Sequence, residues 1–590
     1  MIEFDFDSKE LSLKLLSVRK KAVQLSTFRL GAFFGMLAFL ILGVAEHMLW
    51  LIPGILLIWL FIFLIKKFNA AKHQEAIYLA IEEMDRRKSL RQSRKLASLP
   101  DGLEFADKAH PFSGDLDLFG SHSLFQLLNH TTSAGGKAKL AQLMKAEFTP
   151  EQAQKRATAV EELRQKPEFL RAIESVGIAF GSEKDSFYSW KSWLAEPQKI
   201  TFFHRILAFT GPIGGLTLLI LISLEIVPQA ILGVWILLGV LTLSLVFVPL
   251  KRAAEVIPLS AQVMSMAIRA EKIESENFQA ELLSQEKSKI YAGEAPASAQ
   301  LQDLDRIGLW AQNRLNLLYL PVNLLFWTDF GLFLTLANWK NRVADSLPQL
   351  PDSLENWEVW VSLGAFEQEV GYPGKSHWTG DLILGASNAK HPLIPTEKAI
   401  GNSIQLGRDA QLALLTGANM SGKTTFMRTL GINAVLVNLG LRPFADEFTL
   451  GPIQLYTSMR NSDNLGESIS SFYAELFRIR SLITRLEAGE KVFFMLDEIL
   501  KGTNTQDRIS GSQALIHQVL QTEGFGLIST HDIELAELAE KEARLRNFSF
   551  HSEIQDQTIA FDYKLKDGPC PSFNAHKLME LMGIRFSPEA

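Results

Sequence analysis

The chain has 590 residues, which at about 100 to 200 residues per domain makes three or four units, and 47% of them are hydrophobic. A formal net charge of -6 neither demands nor excludes an anionic partner, so charge has to be read locally. The single cysteine, Cys570, excludes an internal disulfide framework and any cysteine-based metal cluster, in keeping with a reducing compartment.

The chain opens on an acidic cluster and an amphipathic stretch, Leu11 to Leu25, with Arg19, Lys20 and Lys21 just before a long apolar region. Leu30 to Ala45 and Met48 to Ile65 are nearly uncharged, interrupted only by Glu46-His47 and followed by Lys66-Lys67. A buried hairpin of a soluble domain would need polar residues at helical spacing to make a solvent face. Their absence predicts a membrane hairpin, slightly short for a hydrocarbon core of about 30 Å. A cleaved signal peptide does not fit, because the apolar part starts late and comes as a pair.

Asn69 to Leu96 is helix-favouring and carries Arg86, Arg87, Lys88, Arg91, Arg94 and Lys95. Such a helix can grip a nucleic-acid backbone, or it can face anionic lipid or water. From Leu118 a helical pattern runs on, with a turn expected at Ser133-Ala-Gly-Gly136, and Ala157 to Ile173 continues it. A second apolar pair follows, Ile206 to Leu224 and Ala230 to Leu250, joined by Glu225-Ile-Val-Pro228 and bracketed by His204-Arg205 and Lys251-Arg252. With basic residues at the outer ends of both pairs, the positive-inside rule leaves every large segment in the cytoplasm. Ala253 to Lys289 reads as another long helical run, and Ala295 to Ala299 as a linker. Leu315 to Leu336 is long enough to span but contains Pro321, Asn323 and Asp329. A span there would put the C-terminal third outside the cell, so it is read as a buried core helix.

The C-terminal third alternates short apolar runs with helical stretches, the pattern of an α/β domain. Leu412 to Phe426 sets Gly417-x-x-x-x-Gly422-Lys423-Thr424 between a buried strand and a helix, the pattern of a phosphate-binding loop. Its backbone N–H groups, from Gly417 through Ala418, Asn419, Met420, Ser421 and Gly422 to Thr425, can form an anion nest at a helix N-terminus. Lys423 then reaches the β- and γ-phosphates of ATP, and Thr424 ligates Mg2+. Val492-Phe-Phe-Met-Leu496 reads as a second buried strand, ending in Asp497-Glu498. Asp497 can hold a magnesium-bound water, and Glu498 can orient or deprotonate the attacking water. Gly526 to Ser529 delivers Thr530-His531 to the same edge, where His531 can sense the γ-phosphate.

These motifs resemble the ATPase of the MutS DNA mismatch-repair family. Thr416-Gly-Ala-Asn-Met-Ser-Gly-Lys-Thr-Thr425 is similar to the family's TGPNMGGKST, with Ala418 and Ser421 in place of proline and glycine. Leu496 to Asp507 resembles DEIGRGTSTYD, and Ser529 to Leu538 resembles ATHYFELTEL. Asp463 to Glu475 matches the family segment whose serine, Ser470 here, reaches the nucleotide of the partner subunit. The resemblance implies a composite ATP site in a homodimer, with Mg2+ as cofactor and DNA as partner. Ala389-Lys-His-Pro392 with Asn402, Asp556 to Ile584, and Leu118 to Leu143 with Val160 to Leu163 extend it.

There are also departures. Apolar segments begin near residue 30, which leaves no room for the family's mismatch-recognition domain, and no Phe-x-Glu wedge precedes them. The lever region between Lys251 and Asn341 is short for a DNA clamp, and the family's C-terminal helix-turn-helix module has no counterpart. An ABC-transporter head is disfavoured by the lack of a Leu-Ser-Gly-Gly-Gln signature. The expected organisation is an amphipathic segment (1–27), a transmembrane hairpin (28–67), a helical core region (68–202), a second hairpin (203–252), a helical lever region (253–365) and a P-loop ATPase domain (366–590). The fold class is thus a mainly α-helical region with two membrane hairpins, followed by an α/β ATPase.

Overall fold

The computed structural model describes residues 3–4, 6–181, 187–258, 260–291, 295–314, 319–407, 409–459, 471–555 and 558–571. The chain forms two compact units: residues 1–86, 130–137 and 166–361 make up the first, and residues 87–129, 138–165 and 362–590 the second.

The first unit is helical. Its helices include α1 (Ser8–Ala45), α2 (Leu51–Gln92), α3 (Phe202–Ser223), α4 (Ala230–Val256), α5 (Ser260–Ser275), α6 (Ala297–Asn313), α7 (Tyr319–Phe326) and α8 (Thr328–Val343). Leu11, Leu15, Ile77, Tyr78, Ile81, Val176 and Phe180 pack into a buried cluster. Helices α1 to α4 are long and apolar enough to cross a membrane, yet only 11 to 22% of their most apolar stretches is covered by protein. Trp59, Phe209, Ile213, Leu237 and Val248 are among the large side chains left outside.

Several sequence expectations change here. The amphipathic segment is not separate from the first apolar stretch, since α1 runs unbroken from Ser8, and α2 likewise absorbs most of Asn69 to Leu96. With no proline or glycine to break the junction, helical hydrogen bonding continues across the change in polarity. Ala253 to Lys289 divides among the end of α4, α5 and Glu281–Ser288, while Ala297, expected in a linker, begins α6. Ser133-Ala-Gly-Gly136 is a helix start, not a turn. The Glu358 carboxylate accepts the N–H groups of Thr132 and Ser133 at 3.1 and 3.0 Å, capping the helix Ala134–Met144. A Cβ at Gly135 or Gly136 would collide with Glu355 or Glu358, so these glycines serve close approach. Of Leu315 to Leu336, the first four residues lie outside the described ones, and the rest is not one helix: α7 and α8 meet at an 87° bend around Trp327.

The second unit is α/β, as the alternating pattern predicts. A six-stranded sheet, order β10-β9-β4-β8-β7-β6, is built from β4 (Leu412–Gly417), β6 (Gln454–Ser458), β7 (Val492–Asp497), β8 (Phe525–Thr530), β9 (Leu545–Gln555) and β10 (Thr558–Asp567). All its pairings are parallel except β9 with β10. The helices α9 (Lys423–Asn438), α10 (Ser471–Glu487) and α11 (Thr505–Leu520) accompany it. A smaller sheet contains β1 (Lys375–Trp378), β2 (Leu384–Ala389), β3 (Asn402–Leu406) and β5 (Glu447–Leu450). Strands β4 and β8 are buried along their whole length, as continuous apolar runs in a parallel sheet should be.

Candidate nucleotide-binding site

Strands β4, β7 and β8 are neighbours, and their C-terminal ends carry Gly417, Asp497-Glu498 and Thr530-His531 to one edge of the sheet. Open α/β sheets bind ligands at this edge. Gly417 has φ 147° and Gly422 φ 109°, both in the region that favours glycine, and a Cβ on Gly417 would lie 2.6 Å from the Phe550 carbonyl. Between them Met420 also has positive φ and an exposed side chain, while Ser421 is buried. Gly422 caps α9, so the first N–H groups of that helix face the loop, along with Lys423, Thr424 and Thr425.

The predicted residues converge. Lys423 is buried, and its Nζ donates to the carbonyls of Gly417 at 2.8 Å and Ala418 at 3.1 Å. Burial pushes its pKa down, against the pull of Glu498 and Asp497. Thr424 Oγ1 donates to Asp497 Oδ2 at 2.6 Å. A hydroxyl and a carboxylate side by side suit Mg2+, which takes oxygen ligands and completes its shell with water and phosphate. Among the described residues no group of three or more His, Cys, Asp or Glu is placed to hold a metal ion.

Glu498 sits at the start of a strained turn, since both it and Leu500 adopt left-handed backbone, with φ 49° and 60°. Its N–H donates to the Ser529 carbonyl at 3.0 Å. Its carboxylate takes a hydrogen bond from His531 Nε2 at 2.8 Å and pairs with Lys501. The His531 bond first, and Lys501 with it, hold its pKa down to about 2, so Glu498 is ionised at neutral pH. His531 Nε2 also lies 3.0 Å from Asn419 Oδ1. Both neighbours are acceptors, so Nε2 carries the proton, and His531 bridges the phosphate loop to Glu498.

Three contributors escaped the sequence reading. Ser529 donates to Asp497 Oδ1 and holds the carboxylate from the side opposite Thr424. Glu475, buried on α10, accepts the Leu500 N–H and so pins the strained turn. A cavity of about 200 Å³ adjoins the phosphate loop, lined among others by Ile394, Ile400, Thr425, Phe426, Phe550 and Tyr563. The first two are legible only as polar residues at a strand end and in a helix. The cavity joins segments far apart in sequence, so no local pattern marks it. Ser470 lies outside the described residues, as does most of Asp463 to Glu475. Two basic residues of Asn69 to Leu96 are occupied internally: Arg91 pairs with Glu369 at 3.0 Å, and Arg94 donates to the Pro392 carbonyl at 2.8 Å.

Residues 413–584 match the family model for MutS domain V. The chain is similar to the DNA mismatch repair protein MutS of Shouchella clausii, 28% identical over 263 residues, which is 43% of this chain and 30% of the relative. The MutS of Geobacillus thermodenitrificans is 27% identical over 268 residues, 44% of this chain and 29% of that protein. The chain thus spans about 30% of the length of the curated relatives it matches. The residues that match MutS domain V contain the phosphate loop, Asp497-Glu498 and His531.

Proposed function

We propose that this protein is a membrane-anchored MutS-like ATPase that binds and hydrolyses Mg·ATP in a site completed by a second copy, and couples this to DNA. The observation that carries the ATPase reading is the convergence of Lys423, Thr424, Asp497, Glu498 and His531 on one sheet edge. Nucleotide entering the loop draws Lys423 Nζ from the Gly417 and Ala418 carbonyls onto the β- and γ-phosphate oxygens. The base lies in the cavity beside Phe550 and Tyr563. Thr424 and Asp497 would hold Mg2+, which would neutralise charge on the phosphates. Glu498 orients a water towards the γ-phosphate and accepts its proton, and His531 reports phosphate occupancy to Glu498 through their shared hydrogen bond. Dimerisation is supported by α10, which exposes Tyr473, Leu476 and Phe477 directly after the segment containing Ser470.

Lys423→Ala is expected to weaken ATP binding by roughly 10- to 100-fold, the worth of a charge-assisted hydrogen bond. Titration with a fluorescent ATP analogue reads this, and unchanged affinity would overturn the site. The DNA reading is tested by duplex, branched and mismatched DNA against the protein in nanodiscs. A salt-sensitive affinity that differs between ATP and ADP is expected. The burial of Arg91 and Arg94 favours a second reading, in which head closure acts on a protein partner without DNA. No nucleotide-dependent DNA shift would select it.

A further inference from the structure

The bend between α7 and α8 is built against the second apolar hairpin. A Cβ at Gly215 of α3 would collide with the Leu325 carbonyl, and one at Gly239 of α4 would come within 2.8 Å of the Leu324 carbonyl. Trp327, in left-handed backbone at the bend, stacks on Trp235 of α4 with ring centroids 4.6 Å apart. Trp235 Nε1 donates to the Leu325 carbonyl at 2.8 Å, satisfying a group that the bend takes out of helical bonding. In hydrocarbon, irregular backbone survives only with such internal partners. Gly239 precedes Lys251 by twelve residues, roughly 18 Å of helix, so this contact lies well inside a core of about 30 Å.

Both ends of the element lie elsewhere, at the basic end of the hairpin. On the way in, Arg314 stands 6.0 Å from the ring of Phe247, four residues before Lys251, and pairs with Asp329 at 2.9 Å. On the way out, Asn341 exchanges two hydrogen bonds of 2.9 Å with Gln198, just before α3 begins. Phe333 of α8 lies 4.8 Å from His204, beside Arg205. Entry and exit are therefore on one side. Tyr319, Asn323 and Thr328 complete the polar cluster around Asp329, leaving no charge unpaired at the bend. On α7, Leu320 and Val322 are 57% and 44% exposed.

We propose that Tyr319–Phe326 is a re-entrant wedge that binds acyl chains in the leaflet at the basic end of the second hairpin. The chain turns back at Trp327 and does not cross a fifth time. Lipid is the occupant because α7 sits at the depth of helices whose own outward side chains, such as Ile213 and Leu241, are apolar and exposed. This rests on the reading of α3 and α4 as membrane-spanning.

The near-absence of cysteine supplies the test, with the wild-type chain and its buried Cys570 as the blank. Gln229→Cys in the hairpin turn, Gln302→Cys before the wedge, Gln349→Cys after it and Leu320→Cys on it are made singly in the full chain. Membrane vesicles of both orientations are treated with an impermeant maleimide. Gln302→Cys and Gln349→Cys are expected to label from the same face and Gln229→Cys from the other, with Leu320→Cys protected from both until detergent is added. Labelling of positions 302 and 349 from opposite faces would overturn the wedge in favour of a fifth span. Rapid labelling of Leu320→Cys, or its disulfide cross-linking to a second copy, would overturn lipid as the occupant. Both outcomes leave the hairpin reading standing. Equal labelling of Gln229→Cys from both faces in sealed vesicles would instead overturn the hairpin, and the wedge with it.

Discussion

Helix α4 and strand β4 are composed of the same kind of residue and end in opposite surroundings. Leu412 to Leu415 are fully buried between other elements of the α/β unit, whereas along α4 Leu237, Leu241 and Val248 are 61 to 69% exposed. A parallel strand is covered because its hydrogen-bonding neighbours bring helices to both faces. A helix satisfies its own backbone and can stand bare, provided that the surrounding solvent is also apolar. The difference teaches that apolarity does not by itself say what covers a segment.

The most direct way to break this comparison is to place the same charge in both. Leu414→Lys puts an unpaired ammonium into the sheet and is expected to prevent folding, a loss above about 5 kcal/mol, seen as aggregation or loss of ATP binding. Leu237→Lys at a 61% exposed position should cost about 3 kcal/mol of membrane insertion, read as a shift from the membrane to the soluble or degraded fraction. If α4 instead faced water, the same change would be worth less than about 0.5 kcal/mol and the fractionation would not move.

Next in size is Glu498→Gln. It should retain ATP while lowering turnover about 100-fold or more, near 3 kcal/mol in the barrier, measured by phosphate release. Near wild-type turnover would remove Glu498 from the role of base.

A third test concerns a buried carboxylate of the α/β unit. Burial pushes the pKa of Glu367 up to about 7, although the Arg442 N–H donates to it at 2.7 Å. The folded state thus holds a proton that the unfolded chain releases near pH 4.5, so stability falls as pH rises from about 4.5 to about 7. Glu367→Gln should flatten thermal melts across that window, recovering on the order of 3 kcal/mol at its upper end. Parallel curves for the two proteins would refute the assignment.

The smallest effect is expected from Lys501→Ala. Lys501 is the second group holding the Glu498 pKa down, so its loss should move the acid limb of ATP hydrolysis to higher pH. An unmoved limb would mean that Lys501 leaves Glu498 during turnover.

Much of the site was legible because its chemistry is written in short contiguous motifs. Gly417 to Thr425 and Asp497-Glu498 each follow a buried strand, and strand polarity alone delivers them to one edge of a parallel sheet. Ser529, Glu475 and the Phe550–Tyr563 cavity were not legible, since their partners lie far away in sequence. The basic helix misled in part. Arg91 and Arg94 look like a charged surface in a linear reading, yet their guanidinium groups are spent on internal acceptors.

By itself the sequence determined local quantities: four segments too apolar to make their own solvent face, and a phosphate loop flanked by the right elements. Backbone sterics and side-chain periodicity act over a few residues, so they can be read from a few residues. Tertiary structure alone decided that Tyr319 to Leu336 bends by 87° instead of running straight. The cause is distant, in Gly215, Trp235 and Gly239, whose small side chains and indole N–H admit and satisfy a backbone that leaves the helix at Trp327.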